Sequence, residues 1–190
     1  MSTINGEKAS IEIVEGGVRA WLEQVVVGLG LCPFAAKPLL EARVRIDVSL
    51  AQTPEELAGD LHLGLCRLEE TPAAELETSL LVVPNMLADF YDYNDFLDIA
   101  DAMVEEGDWE GVIQIASFHP HYQFAGTELS DAENFTNRAP YPIFHLLREA
   151  SLEAVLAVYP DPEAIPERNI QLFQNMDKAA IKALFPYCFR

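Results

Sequence analysis

The sequence predicts an α/β protein, a compact layered domain with a short, mostly parallel sheet flanked by helices. Two observations carry that expectation. Strand-length apolar runs alternate along the chain with longer segments of helical period. The helical segments open on capping residues and close on Gly or Pro, so each strand is set apart from the next by a separate helix, the pattern of parallel pairing. A ferredoxin-like α+β arrangement is the alternative, with a fourth strand in Gln123–Thr127 or Leu156–Tyr159.

Taken in order, residues 1–9 are polar and read as a short arm. Val18, Trp21, Leu22, Val25 and Leu29 follow helical spacing, which predicts a helix over about 10–30. Gly28, Gly30 and Pro33 end it. Val44, Ile46 and Val48 alternate with Arg43, Arg45 and Asp47, the pattern of a strand with one wet face. Thr53, Pro54 and Glu56 make a capping box with a proline in the first turn, followed by an apolar stripe of Leu57, Leu61, Leu65 and Leu68. Thr71-Pro72 stops that helix.

Ser79–Val83 is continuously apolar after its serine, as a strand covered on both faces should be. Met86, Phe90, Tyr93, Leu97, Ala100 and Val104 step by three or four and predict the next helix, ended by Gly107. Gly111–Ala116 reads as a third buried strand, running on to Phe118. Residues 117–141 read as a long polar and aromatic loop. Pro142 is expected to begin a helix carrying Ile143, Leu146, Leu147, Ala150 and Ala154. One or two helices follow from Pro162.

The totals bound the class. The chain has 190 residues, within the ~100–200 usual for one domain. At this size folding buries roughly 70% of the surface of the unfolded chain, so one core suffices over 1–190. Lys and Arg total 12 against 31 Asp and Glu, a formal net charge of −19. Such a surface repels phosphate backbones and anionic membranes, so neither nucleic acid nor membrane is an expected partner. A small anion in one local basic pocket is compatible with it. Three widely spaced cysteines, Cys32, Cys66 and Cys188, form no disulfide framework and no CxxC pair. Met1–Ser10 lacks the apolar stretch of a signal peptide. A reducing cytoplasm is the expected location.

The long loop draws the functional expectation. Loops at the carboxyl ends of parallel strands carry ligand sites, and loops of this length inside a domain are often functional. His119 and His121 are two apart and, on extended backbone, point the same way. Imidazole transfers protons or binds metal near neutral pH. With Asp131 or Glu128 as third ligand or orienting group they form a candidate two-histidine, one-carboxylate divalent-metal set. Asn134, Asn137 and Arg138 stand just ahead of the helix expected at Pro142, where backbone N–H groups favour anions. Arg138 can grip a carboxylate or phosphate with two parallel bonds, with Arg148 and Tyr122 as further substrate-binding candidates. Cys32, with Lys37, Arg43 and Arg45 downstream, is a candidate nucleophile if positive charge lowers its pKa. No GxGxxG, P-loop, GxSxG or HExxH is present, so the enzyme classes they mark are disfavoured.

Several segments are similar to a known family. Gly30-Leu31-Cys32-Pro33-Phe34-Ala35, His119-Pro120-His121-Tyr122-Gln123-Phe124 and Asn134–Pro142 resemble the hallmark segments of the domain of unknown function 1415, as do His145–Ala150 and Ile165–Asn169. The resemblance covers nearly the whole chain. It implies a compact bacterial protein of this size and supplies no reaction. The expectation from the residues is a small enzyme, hydrolase- or transferase-like, acting on an anionic or carbonyl-bearing metabolite. The alternatives are a non-catalytic small-anion or nucleotide-binding module, and a partner-binding domain anchored by Tyr122, Phe124, Phe135 and Tyr141.

Overall fold

A computed structural model describes residues 2–189, with side chains from Ile11 onward. Helix α1 is Ser2–Trp21, so it takes in residues 2–9, where a short arm is expected. It continues as a π-helical turn, Leu22–Val27. There Gly28 N–H donates to Glu23 O at 3.0 Å and Leu31 N–H to Val26 O at 2.9 Å, both five residues back. The wide turn leaves no room at position 28: a Cβ there would lie 2.4 Å from Gln24 O. Glycine is therefore required where the helix closes.

The short α2, Ala36–Leu40, leads into β1, Val44–Val48. Helix α3, Pro54–Glu70, starts as its capping box predicts. Thr53 Oγ1 accepts from Glu56 N–H at 3.3 Å, and Glu56 Oε2 accepts from Gln52 N–H at 2.8 Å. Strand β2 is Thr78–Val82 and all five residues are buried. Helix α4, Phe90–Glu106, begins four residues later than Met86. Leu87, at φ 57°, breaks the helical path, and Asp89 supplies the cap, accepting from Tyr91 N–H. Strand β3 is Ile113–Phe118.

The helix expected at Pro142 is not formed. Ile143–Arg148 is a strand, β4, and helix α5 occupies Glu149–Leu156. The fourth strand therefore lies in neither Gln123–Thr127 nor Leu156–Tyr159. The cause is pairing: β4 enters between β2 and β3, antiparallel to both, and the order is β1-β2-β4-β3. Both of its edges are hydrogen-bonded, which outweighs a helical spacing of the same residues. β1 and β2 pair in parallel, so three strands run one way and β4 alone runs back. The β1–α3–β2 unit is unsplit, and the β2–α4–β3 unit is split by β4. Helices α6, Ile165–Asn175, and α7, Lys178–Leu184, complete the chain with a 3-10 turn, Pro186–Phe189.

Alternation along the strands divides two cores. On one face Leu80, Val82 and Ile143 meet Val14, Val18 and Trp21 of α1 and Phe173 of α6. On the other, Leu81, Phe144 and Leu146 meet the α3 leucines 57, 61, 65 and 68 and Tyr93, Phe96 and Ala100 of α4. Each of those four leucines is fully buried, contributing about 2 kcal/mol relative to exposure. The result is a helix–sheet–helix layering, an α/β fold with a mixed sheet. No helix among the described residues is long and apolar enough to cross a membrane.

Candidate functional site

The carboxyl ends of β1, β2 and β3 share one edge of the sheet, and the long loop leaves it at Phe118. His119 turns inward there and is fully buried. Its ring packs 5.2 Å from the Tyr93 ring and 5.4 Å from Phe90. His121 N–H donates to Nδ1 at 3.0 Å, which makes Nδ1 an acceptor. Nε2 then carries the proton and donates to Leu87 O at 2.9 Å. That bond pins the one left-handed leucine, whose conformation is otherwise unfavourable. Burial lowers the His119 pKa to about 4, so the ring is neutral at neutral pH.

This geometry removes His119 from both roles expected of it. Neither ring nitrogen is left for a metal or for a substrate proton. His121 is exposed, its ring 5.9 Å from that of His119. Asp131 accepts from Glu128 N–H at 2.8 Å, and among the described residues no hydrogen bond or ion pair joins it to either imidazole. Among the described residues no group of three or more His, Cys, Asp or Glu is arranged to hold a metal ion. The residues present do not fit the divalent-metal set.

The asparagines stitch the loop together. Asn134, fully buried, accepts from Phe124 N–H at 2.9 Å and donates to Glu128 O at 2.7 Å. Asn137 donates through Nδ2 to Ser117 O at 3.0 Å, and its carbonyl accepts from His119 N–H. A 3-10 helix, Ala132–Asn137, contains both. Because β4 follows it, no helix N-terminus faces Asn134, Asn137 and Arg138, and the backbone N–H groups expected to favour an anion there are not those of a helix start. Tyr122 packs its ring on Phe90 and Phe124, with its hydroxyl 3.3 Å from Ser117 Oγ. Phe135 is buried in the core beside Phe173 and Phe185, so it is no surface anchor.

Two candidates lie elsewhere. Arg148 ends β4 at the opposite edge of the sheet. There it donates to the carbonyls of Leu68, Thr71 and Leu76 and closes the end of α3. Cys32 is half-buried in the turn after the π-helical segment. Burial raises its pKa, and the backbone N–H groups of Phe34 and Ala35 only partly oppose this. The downstream cations do not activate it, and among the described residues no hydrogen bond joins it to the loop. Two shallow depressions, of about 470 and about 350 Å³, also sit at the opposite edge. They are lined by Arg43 with Glu41 and Glu77, and by Arg45 and Arg67, which share Asp47.

Arg138 is the candidate the fold isolates. It is only 6% exposed. Nη2 donates to Leu129 O at 2.7 Å and Nε to Tyr122 O at 3.4 Å. The guanidinium carbon stands 4.3 Å over the Phe135 ring, and the Arg138 carbonyl accepts from Trp21 Nε1 at 3.1 Å. Among the described residues no carboxylate pairs with it. Burial lowers its pKa from the usual guanidinium value. Beside it are two groups that the sequence reading passes over. The Cys188 thiol donates to Pro120 O at 3.1 Å, and burial raises its pKa to about 11 despite the nearby guanidinium. The Tyr187 hydroxyl is buried and has no hydrogen-bond partner among the described residues. Cys188 carries the weak signal of any free cysteine. Tyr187 carries none, because its burial depends on how Pro186–Phe189 folds back.

No curated protein and no solved structure matches the chain. A family model described as "Protein of unknown function (DUF1415)" matches residues 13–183, which span both cores, the long loop and Arg138. The chain therefore belongs to that family, DUF1415.

Proposed function

We propose that this chain is a small-anion-binding module in which Arg138 holds the negative charge of the ligand. One observation carries the reading: an arginine only 6% exposed, its guanidinium supported by carbonyls and a ring face, with no carboxylate paired with it among the described residues. Burying an unpaired ion costs several kcal/mol even after relaxation. Neutral carbonyl acceptors and a cation–π contact of about 1–2 kcal/mol offset only part of that. A bound anion supplies the missing term. In the enzymatic alternative the acid–base role would pass from His119, both of whose ring nitrogens are hydrogen-bonded within the protein, to the exposed His121.

The test is thermal unfolding at constant ionic strength in chloride, phosphate, sulfate and short carboxylates, followed by calorimetric titration of any anion that stabilises. A specific anion at a hundred times its Kd should stabilise by about 2.7 kcal/mol, and Arg138→Lys should lose most of that gain. If no anion stabilises the protein beyond chloride, the reading is wrong.

A further inference from the structure

Independently of the Arg138 reading, we propose that Cys66 is a thiol–disulfide exchange site, with His62 as its base and a small disulfide bearing amino groups as its co-reactant. Cys66 Sγ lies 3.5 Å from His62 Nε2. The two residues are four apart on α3 and share one face of the helix. With the thiol donating to the ring nitrogen, the imidazole is placed to take the proton as sulfur attacks. The Trp109 ring, 5.6 Å from that of His62, flanks the imidazole, and Trp109 Nε1 donates to Glu69 Oε2 at 2.8 Å.

The surroundings separate Cys66 from the other two thiols. His62 is exposed and Cys66 half-buried. Gly59, one turn before His62 on the same side of α3, has nothing within 4 Å of where a Cβ would stand, so the pair can be approached from that side. Burial raises the thiol pKa of Cys32, and that of Cys188 to about 11. Among the described residues neither of these has an imidazole at hydrogen-bonding distance, and Cys188 donates to a carbonyl instead.

The exchange balances without an external oxidant. The Cys66 proton passes to His62 Nε2, Sγ attacks one sulfur of the disulfide, and the other sulfur leaves as a thiolate. His62 returns the proton to that thiolate, which leaves a mixed disulfide on Cys66 and one free thiol.

Charge selects the co-reactant. Between Pro54 and Asn137 the chain carries a single Lys or Arg, Arg67. Its Nη1 is bound to Asp47 of β1 at 2.9 Å. Glu69 and Glu70 follow Cys66 by three and four residues, neighbours on the helix surface. Negative charge around the thiol draws in a cationic disulfide and repels an anionic one.

The experiment follows mixed-disulfide formation by residue-resolved mass spectrometry in the wild type, His62→Gln and Cys66→Ser. Each chain is mixed at low ionic strength with cystamine or with dithiodiglycolate, and rates are normalised to those of each reagent with mercaptoethanol. Cys66 should be the first thiol modified, and the first adduct should be lost in Cys66→Ser. Cystamine should react about tenfold faster than dithiodiglycolate, a gap that salt narrows. His62→Gln should slow exchange at Cys66 by about fivefold or more. Faster modification of Cys32 or Cys188, or an unchanged Cys66 rate in His62→Gln, overturns the inference. Equal normalised rates for the two disulfides overturn the charge selection. Should His62→Gln lose stability, the order of labelling among the three wild-type thiols and the ratio between the two disulfides still decide.

Discussion

His119 is the clearest case of a polar residue whose chemistry is used up in holding a loop. Its ring fills a slot against Tyr93 and Phe90, and its two nitrogens hold Leu87 O and His121 N–H. His119→Ala should therefore destabilise the protein by about 2–4 kcal/mol, from a cavity and two orphaned backbone groups. His121→Ala, at an exposed ring, should change stability by no more than about 0.5 kcal/mol. Urea unfolding of both variants checks this, and equal effects would contradict the assignment. The sequence could flag His119 and His121 as a pair but not separate them. The burial of one depends on Leu87 and Tyr93, some 30 residues earlier, and no local spacing encodes that contact. Arg138 was legible for its residue type. Its isolation from carboxylates was not, because that depends on where 31 acidic side chains fall in space.

Elements were legible wherever local chemistry and tertiary environment agree. Thr53 and Glu56 cap α3 as their spacing requires, and Thr53→Ala should cost about 1 kcal/mol in thermal unfolding. Gly28→Ala should cost more, about 2 kcal/mol or above, because the added Cβ meets the Gln24 carbonyl at 2.4 Å and the π-turn must rewind. A result below that of Thr53→Ala would show that the turn yields freely. β4 is the element that misled. Ile143-Phe144-His145-Leu146-Leu147 is nearly all apolar, since both faces of a central strand are covered, and such a run lacks the two-residue alternation that marks a strand. With Ala150 and Ala154 behind it in α5, the same run fits a helical spacing. Only the open edges of β2 and β3, separated in sequence by α4, decide between the two, and those edges are a property of the folded sheet.

At the scale of the whole molecule each face of the sheet shields one imidazole from water, His119 fully buried and His145 half-buried, and the two bear on the acid stability of the fold. His145 lies in β4 on the α1 side. The Thr78 hydroxyl donates to Leu146 O at 2.6 Å, so His145 Nε2 donates to Thr78 Oγ1 at 2.7 Å. Burial lowers the pKa of His145 to about 4, as it does that of His119. Unfolding returns both to the ordinary value of 6.5. Between pH 6.5 and 4 the unfolded chain binds more protons than the native one, so stability rises with pH across that window. Each imidazole contributes up to about 3 kcal/mol, fully present above pH 6.5 and lost as the pH falls towards 4. The formal charge of −19 acts in the opposite sense: as carboxylates protonate below about pH 5, self-repulsion in the native state eases. The signature is therefore a fall in stability that starts near pH 6.5, before most carboxylates titrate. Urea unfolding at half-unit steps from pH 7.5 to 4.5 should show it. The slope should be roughly halved in His145→Gln, which retains an N–H donor for Thr78 and does not ionise. A profile of His145→Gln parallel to the wild type would mean that this imidazole keeps its ordinary pKa in the fold, and that acid stability is governed by the carboxylates instead.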